Sequence, residues 1–186
     1  MNTPPEAWKA PNSEKGQTLA LVTVMMLGLL GFTALAVDVG YFYVTRNELQ
    51  NVADGSALAG TRTLGHTYQG LSYSEQQGYV CGDACAATIR TAAEEVAESN
   101  RAGGATMSVR VEDVAIGQWD GETFTETSTE PDAVQVIARR DEVANGPITT
   151  FFGRLLGAIG HGASPQLLGI RTCLTVNNAR PAPLVT

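Results

Sequence analysis

A charge-free apolar run near the N-terminus constrains this chain most. Residues 18–37 read TLALVTVMMLGLLGFTALAV and contain no charged side chain. At a rise of about 1.5 Å per residue, a helix of this length spans about 30 Å, the hydrocarbon thickness of a bilayer. Inside a bilayer, a helix satisfies all its backbone hydrogen bonds within one segment. The run therefore predicts a transmembrane helix.

The run has three other interpretations. A cleaved secretory signal has a shorter apolar stretch and a small-residue cleavage site, for which only Ala34 and Ala36 give a weak pattern. A buried helix of a soluble protein is rarely apolar on all sides over this length. The helix of a pilin leaves the membrane and enters a filament. We adopt the membrane anchor.

Flanking charges predict the orientation of the anchor. Lys9 and Lys15, the two lysines of the chain, precede the run, and the first arginines after it are Arg46 and Arg62. Basic residues next to a membrane helix favour the cytoplasmic side. The sequence therefore predicts a single-pass protein of a bacterial inner membrane, with a cytoplasmic N-terminus and a periplasmic C-terminal domain.

The helix is predicted to continue beyond the membrane. Apolar residues recur at spacings of three and four after Val37, which is typical of an amphipathic helix. Tyr41 follows the run at the level where aromatic side chains meet lipid headgroups. Gly60 or Gly65 is expected to end the helix. Small residues, which let helices approach closely, predict packing of this helix either against partner helices or on its own domain.

Short motifs in this segment recur in a known family with the same spacing. They are Gly16-Gln17, Asp38-Val39-Gly40 followed by Tyr41, Leu49-Gln50-Asn51, Ala53-Asp54 and Ala57-Leu58-Ala59-Gly60. With these motifs the segment resembles the N-terminal part of the TadE/TadG-like Flp pilus-assembly family. The resemblance implies a role in a tight-adherence (Tad) pilus, with the C-terminal part outside the cytoplasm.

Twelve residues of this helix are predicted to contact the membrane or partner helices. They are Gly28, Gly31, Asp38, Gly40, Tyr41, Leu49, Gln50, Asn51, Ala53, Asp54, Ala57 and Gly60. Asp38 either pairs with a partner helix or lies as a carboxylate at the headgroup level, and we expect the second. One position departs from true type IV prepilins, which carry Glu at the fifth mature position, because cleavage after Gly16 would place Leu21 there. The departure favours an uncut anchor over a processed pseudopilin.

The rest of the chain predicts a small mixed domain, so that the fold class is α+β. Residues 86–100 are rich in Ala and Glu and predict a helix. Alternating apolar residues predict strands at 107–111, 114–119, 133–140 and 169–176, and residues 122–127 are expected to pair back across the Asp120-Gly121 turn. Residues 148–156 predict a short amphipathic helix. The expected divisions are a cytoplasmic tail 1–16, the helix 17–62, the domain 63–176 and a flexible tail 177–186.

The C-terminal half carries a second resemblance. The matching residues are Gly117-Gln118-Trp119-Asp120-Gly121, Phe124, Ala133-Val134-Gln135-Val136, Arg139-Arg140, Phe151-Phe152 and Gly157. Together they resemble the C-terminal domain of Tad-like pilus-assembly proteins. The two resemblances cover most of the chain.

The three cysteines, Cys81, Cys85 and Cys173, predict a disulfide in an oxidising compartment. Any of the three pairings is open, and an odd number leaves at least one cysteine free or paired between chains. Zinc would need two further ligands at suitable spacing, and we predict no metal or other cofactor.

Composition and motifs argue against several functions. The net charge is -7, whereas nucleic-acid binding needs a positive surface. A nucleophile elbow, a phosphate loop and an H-E-x-x-H motif are absent from the sequence. Asp54-Gly55-Ser56 begins a D-x-S-x-S metal motif, but Leu58 occupies the place of the second Ser. Arg139-Arg140 is expected to be a solvated pair.

The sequence therefore predicts a non-enzymatic structural or assembly component of a Tad/Flp pilus that functions in surface adherence. Its expected partners are the lipid bilayer and other Tad/Flp pilus-assembly proteins, with no nucleic acid and no small-molecule substrate. One alternative is a processed minor pseudopilin at the filament tip. Another is an anchored periplasmic protein of unrelated role, including an enzyme.

Overall fold

A computed structural model describes residues 14–150, 152, 167–168 and 170–176 of the chain. The protein is α+β, as predicted: one long N-terminal helix carries a small domain of helices and antiparallel strands. Helix α1 spans Glu14–Gln69 as one element of 56 residues. In the described part of the chain, this is the one helix long and apolar enough to span a membrane. Its apolar run is exposed rather than covered by the domain.

Helix α1 ends later than the sequence predicted. It continues through Gly60 and Gly65 to Gln69, because its last turns are held by packing: Leu64 and Tyr68 are fully buried in the domain core. Gly60 serves close packing, since a Cβ there would lie 3.1 Å from Cγ1 of Val134. The domain boundary expected at residue 62 therefore falls inside a continuous helix.

The remaining elements follow in chain order. The helices are α2 (Tyr73–Gln76) and α3 (Asp83–Glu98), and a 3-10 turn spans Val111–Asp113. The strands are β1 (Arg101–Ala102), β2 (Ala105–Thr106), β3 (Val114–Trp119), β4 (Phe124–Glu126), β5 (Ala133–Arg140), β6 (Ile148–Thr149), β7 (Leu167–Leu168) and β8 (Ile170–Val176). The main sheet is antiparallel with strand order β4-β3-β5-β8, and the pairs β1-β2 and β6-β7 stand apart.

Several predicted elements are confirmed and two are wrong. The helix at α3 and the strands at β3, β5 and β8 lie where periodicity placed them, and β4 pairs back on β3 as expected. The strand predicted at 107–111 is absent: Met107 and Val109 are buried, but their backbone joins no sheet. Residues 148–149 form a strand rather than the start of a helix. Most of the rest of that predicted helix, residues 151 and 153–156, and the tails 1–13 and 177–186 lie outside the described residues.

Helix α1 packs over β5 and β8 and beside α3. Val134, Val136 and Ala138 of β5 alternate into the core beneath it. Val134 lies beside Gly60, whereas Arg140 at the other end of β5 reaches a turn that contacts Thr45. Strand β5 thus runs antiparallel to α1, back toward the apolar run.

Gly117 is the position in the sheet that tolerates a side chain least. It pairs with Glu126 of β4, and a Cβ would overlap the carbonyl oxygen of Thr125 and lie 2.8 Å from Cζ of Phe124. We expect Gly117→Ala to lower the unfolding free energy by about 2 kcal/mol, the cost of an overpacked site. Thermal unfolding of the detergent-solubilised chain, followed by near-UV circular dichroism, measures the change. Gly40→Ala is the matched control, because nothing lies within 4 Å of its added Cβ; equal effects of the two changes would contradict the expectation.

Candidate functional site at the neck of the helix

A tight turn of the domain packs on α1 just beyond the apolar run. Gly103 and Gly104 join β1 to β2 with φ values of 56° and 77°, a left-handed conformation that favours glycine. The backbone N–H of Gly103 donates to Oε2 of Glu48 at 2.6 Å, and its carbonyl accepts from the Tyr41 hydroxyl at 2.9 Å. We call residues 101–106 the Gly103 turn, and this turn with the Asp38–Glu48 stretch of α1 the neck.

The neck requires glycine at position 103 for two reasons: its positive φ and the lack of space for a side chain. A Cβ at this position would lie 2.9 Å from Cγ2 of Thr45 and 2.8 Å from Nη1 of Arg140. Thr45 is fully buried, and its hydroxyl donates to the carbonyl of Tyr41 one turn back. The turn therefore packs between α1 on one side and the Arg140 side chain of β5 on the other.

Arg140 fixes the other side of the Gly103 turn. Its guanidinium donates to the carbonyls of Ala102 and Gly103, both at 2.9 Å, and to that of Gly146 at 3.0 Å. The residue is 8% exposed because the two-residue period of β5 continues the core-facing register past Ala138. An arginine carries five N–H donors, and here they link the Gly103 turn to the 141–146 turn.

The expected solvated pair Arg139-Arg140 is therefore wrong. The Arg139 side chain is only 11% exposed, and its Nε lies 2.9 Å from Oδ2 of Asp113. Burial raises the pKa of the Asp113 carboxyl above its usual value, although the adjacent Arg139 charge acts in the opposite direction. The two arginines thus have separate partners: Arg139 pairs with the carboxylates of Asp113 and Glu112, and Arg140 binds a set of backbone carbonyls.

Asp38, the first charge after the apolar run, binds the protein's own domain. Its two carboxylate oxygens accept from the backbone N–H of Phe152, at 3.3 Å for Oδ1 and 3.2 Å for Oδ2. The carboxylate is half-buried. A carboxylate at the headgroup level was expected here, and the structure adds a contact from the chain that follows β6.

The residues predicted to pack against membrane or partners fall into two groups. Leu49, Ala53, Ala57 and Gly60 are buried in the domain's own core. By contrast, Gly28, Gly31, Gly40 and Asn51 are exposed. Between these groups, the half-buried Gln50 donates to Asp54 on the same helix at 2.7 Å. The sequence left open whether this helix packs against partner helices or on its own domain. Beyond Leu49, one face packs on the domain and the other face is exposed.

Sequence reasoning identified Asp38 and Tyr41 but missed three further residues of the neck, and it missed Arg140, which binds the Gly103 turn from β5. Thr45, Glu48, Gly103 and Arg140 carry most of its contacts. The available signal was the glycine pair Gly103-Gly104. A glycine pair between two short extended stretches indicates a tight turn.

Cys81 and Cys85 form a disulfide at the start of α3, with their Cα atoms 5.3 Å apart. This is one of the three pairings that the sequence left open. Cys81 is buried, and its N–H donates to the carbonyl of Ser128 at 2.9 Å. Cys173 lies in β8, in register with Ile137 of β5.

The disulfide closes a very short loop, so its expected effect is modest. We expect Cys85→Ser to lower the unfolding free energy by about 2 kcal/mol, the loop-closure contribution for a loop of this size. Denaturant unfolding with and without reductant measures it. The variant should lose its sensitivity to reductant, whereas a reductant effect as large as in the parent chain would contradict this assignment of the disulfide.

An open groove of about 470 Å³ runs between α1 and α3. Leu58, Arg62 and His66 line it from α1, and Glu95 and Val96 from α3. Within the described ranges, no group of three or more His, Cys, Asp or Glu side chains is placed to hold a metal ion.

Comparison with known families covers both halves of the neck. Residues 16–63 match the Tad family, described as Flp pilus-assembly TadE/G-like. Residues 73–166 match the Tad_C family, described as Tad-like Flp pilus-assembly. The first match includes Asp38, Tyr41 and Glu48, and the second includes Gly103 and Arg140. No curated protein and no solved structure matches the chain.

Proposed function

The chain belongs to the Tad-like family of Flp pilus-assembly proteins, and on this premise we propose that it is a membrane-anchored structural or assembly component of a Tad/Flp type IVb pilus apparatus. The observation that carries the proposal is the uninterrupted helix α1, whose exposed apolar run continues directly into the domain core. In this role the protein works by packing and positioning rather than by catalysis. Its place in surface adherence follows from the pilus it would help to assemble.

The proposed mechanism rests on a helix that is both anchor and scaffold. The apolar run fixes the protein in the bilayer, since a free helix of this composition would expose Leu, Met and Phe side chains to water. Beyond the run, the neck joins α1 to the domain at Asp38, Tyr41 and Glu48. The domain is thereby held at a fixed height and orientation for other pilus-assembly proteins.

We further propose that the domain is periplasmic and the N-terminus cytoplasmic. The Cys81–Cys85 disulfide supports this orientation, because disulfides persist in the periplasm and are rare in the cytoplasm. Lys9 and Lys15 on the other side of the run support it independently. Protease added to intact spheroplasts should digest the domain, and digestion only after lysis would refute the orientation.

The proposed protein partners bind the free face of α1. A photo-crosslinker at Asn51 or Leu58, both exposed, should capture another pilus-assembly protein in cells. The same crosslinker at Thr91, an exposed position of α3, is the matched control. Capture of lipid alone from the α1 positions would count against the assembly role.

The second candidate function is a processed minor pseudopilin at the filament tip. The exposed face of α1 would also suit a helix that packs into a filament, which is the observation in its favour. Mass spectrometry of the N-terminus separates the two functions. A mature chain that starts at Gln17 supports the pseudopilin, and a chain with the Met1 region intact supports the anchor.

A further inference from the structure

The neck begins close to the end of the apolar run. Along α1, Tyr41 is four residues beyond Val37, which corresponds to about 6 Å at 1.5 Å per residue. The Gly103 turn lies farther along α1, because Gly103 also lies against Thr45 and binds Glu48, which are about 12 and 16 Å beyond Val37. Asp38, which binds the backbone of Phe152, is the next residue after Val37.

The topology brings more of the domain to the same end. Because β5 runs back toward the apolar run, the connection that leaves Arg140 begins there. Asp141 and Asn145 shape this connection into a turn: Asp141 accepts from the N–H groups of Val143 and Ala144, and Asn145 binds the backbone of Ser108 and Arg139. Arg140 holds the 141–146 turn beside the Gly103 turn. At its tip, Val143 is 62% exposed.

We propose that this end of the domain, formed by the Gly103 turn and the 141–146 turn, is a lipid-facing surface that lies against the headgroup layer of the bilayer spanned by α1. The inference rests on the proposed membrane anchor. The headgroup layer is about 5–7 Å thick on each side of the hydrocarbon. The neck begins within that distance of the run, at Asp38 and Tyr41, so the Gly103 turn beside it lies at the outer edge of the layer. The domain contacts α1 from Asp38 onward, the residue next to the run, which leaves little room for a protein partner between this end of the domain and the bilayer.

The chemistry of the surface suits lipid headgroups. Arg101 of the Gly103 turn is exposed and can reach phosphate oxygens, while the exposed Val143 can enter the upper acyl region. Tyr41 lies at the aromatic belt level, with its hydroxyl already satisfied by Gly103. A helix tilt of about 20° would move groups 10 Å from the helix axis by only about 3 Å, so the surface stays at the headgroup level.

Depth measurements on the full chain in phosphatidylcholine vesicles test the surface. A bimane fluorophore is attached at Val143→Cys or, as the matched control, at Ser74→Cys, in chains whose Cys173 is replaced by serine. Ser74 is exposed on α2, beyond the far end of α1. A nitroxide on the lipid headgroup should quench the fluorophore at residue 143 at least twofold and leave that at residue 74 nearly unchanged.

The outcomes separate the surface from the anchor. If the chain floats with the vesicles but residues 143 and 74 are quenched equally little, the lipid-facing surface is refuted and the anchor stands. A chain that fails to float refutes the anchor and, with it, the surface. A second label at Thr106→Cys, an exposed position of the Gly103 turn, should be quenched like that at residue 143, and a label there that is not quenched also refutes the surface.

Discussion

Replacing Leu27 and Leu30 together by arginine should release the chain from the membrane fraction. Both side chains lie near the middle of the apolar run and are 64% and 63% exposed, so no part of the described domain shields them. An arginine at the centre of a membrane helix costs about 2.5–3.5 kcal/mol on insertion scales. Two of them shift the insertion equilibrium by about 5–7 kcal/mol, roughly four orders of magnitude. Fractionation of cells after a carbonate wash measures the retained share.

The matched control places the same change outside the run. Leu58→Arg alters a leucine that is 62% exposed on the same helix, but this position lies about 30 Å beyond Val37 at 1.5 Å per residue. We expect this variant to stay in the membrane fraction. Retention of the double variant at the level of Leu58→Arg would show that something other than the apolar run holds the chain there.

Arg140→Ala should destabilise the domain by about 3 kcal/mol and detach the Gly103 turn from β5. The change removes hydrogen bonds to four backbone carbonyls, those of Ala102, Gly103, Gly146 and Pro147. Of these, Gly103 keeps the Tyr41 hydroxyl as a donor. Hydrogen bonds from a charged group contribute about 1.5–3 kcal/mol each, and a buried acceptor left without a donor costs about 1–3 kcal/mol. Denaturant unfolding of the purified chain gives the free energy.

Arg110→Ala is the control for the loss of an arginine. Its side chain is 41% exposed and its Nε lies 2.8 Å from Oε1 of Glu112 at the surface, an ion pair of a kind that contributes at most about 1 kcal/mol. Hydrogen exchange at the Gly103 amide adds a local readout, because that amide is bound to Glu48. If exchange there is as slow in Arg140→Ala as in the parent chain, Arg140 does not hold the turn.

Features that depend on local periodicity could be predicted from the sequence. The apolar run, α3, β3 and β5 each have a regular pattern of apolar residues over several turns or alternations, and each lies where that pattern placed it. The spacing of apolar residues after Val37 also predicted the helix beyond the run. Asp38 and Tyr41 were identified because they stand directly after the run.

Features that depend on contacts between distant segments could not be predicted in the same way. The end of α1 is set by the packing of Leu64 and Tyr68, and glycines that usually end helices do not end this one. Arg140 is buried because β5 carries it under α1 to carbonyls almost forty residues earlier in the chain. Met107 and Val109 alternate with polar residues as in a strand. This alternation reflects the burial of their side chains and does not require backbone hydrogen bonds to a neighbouring strand.

The continuity of α1 also determines how the protein would respond to a mechanical load. A pull on the far end of the domain would travel along one helix of 56 residues, with no linker to extend and absorb it. The sheet and α3 pack against the C-terminal half of that helix and restrict its bending. Asp38, Tyr41 and Glu48 connect the domain to α1 at the neck. Under tension, rotation of the domain relative to the apolar run would have to begin there.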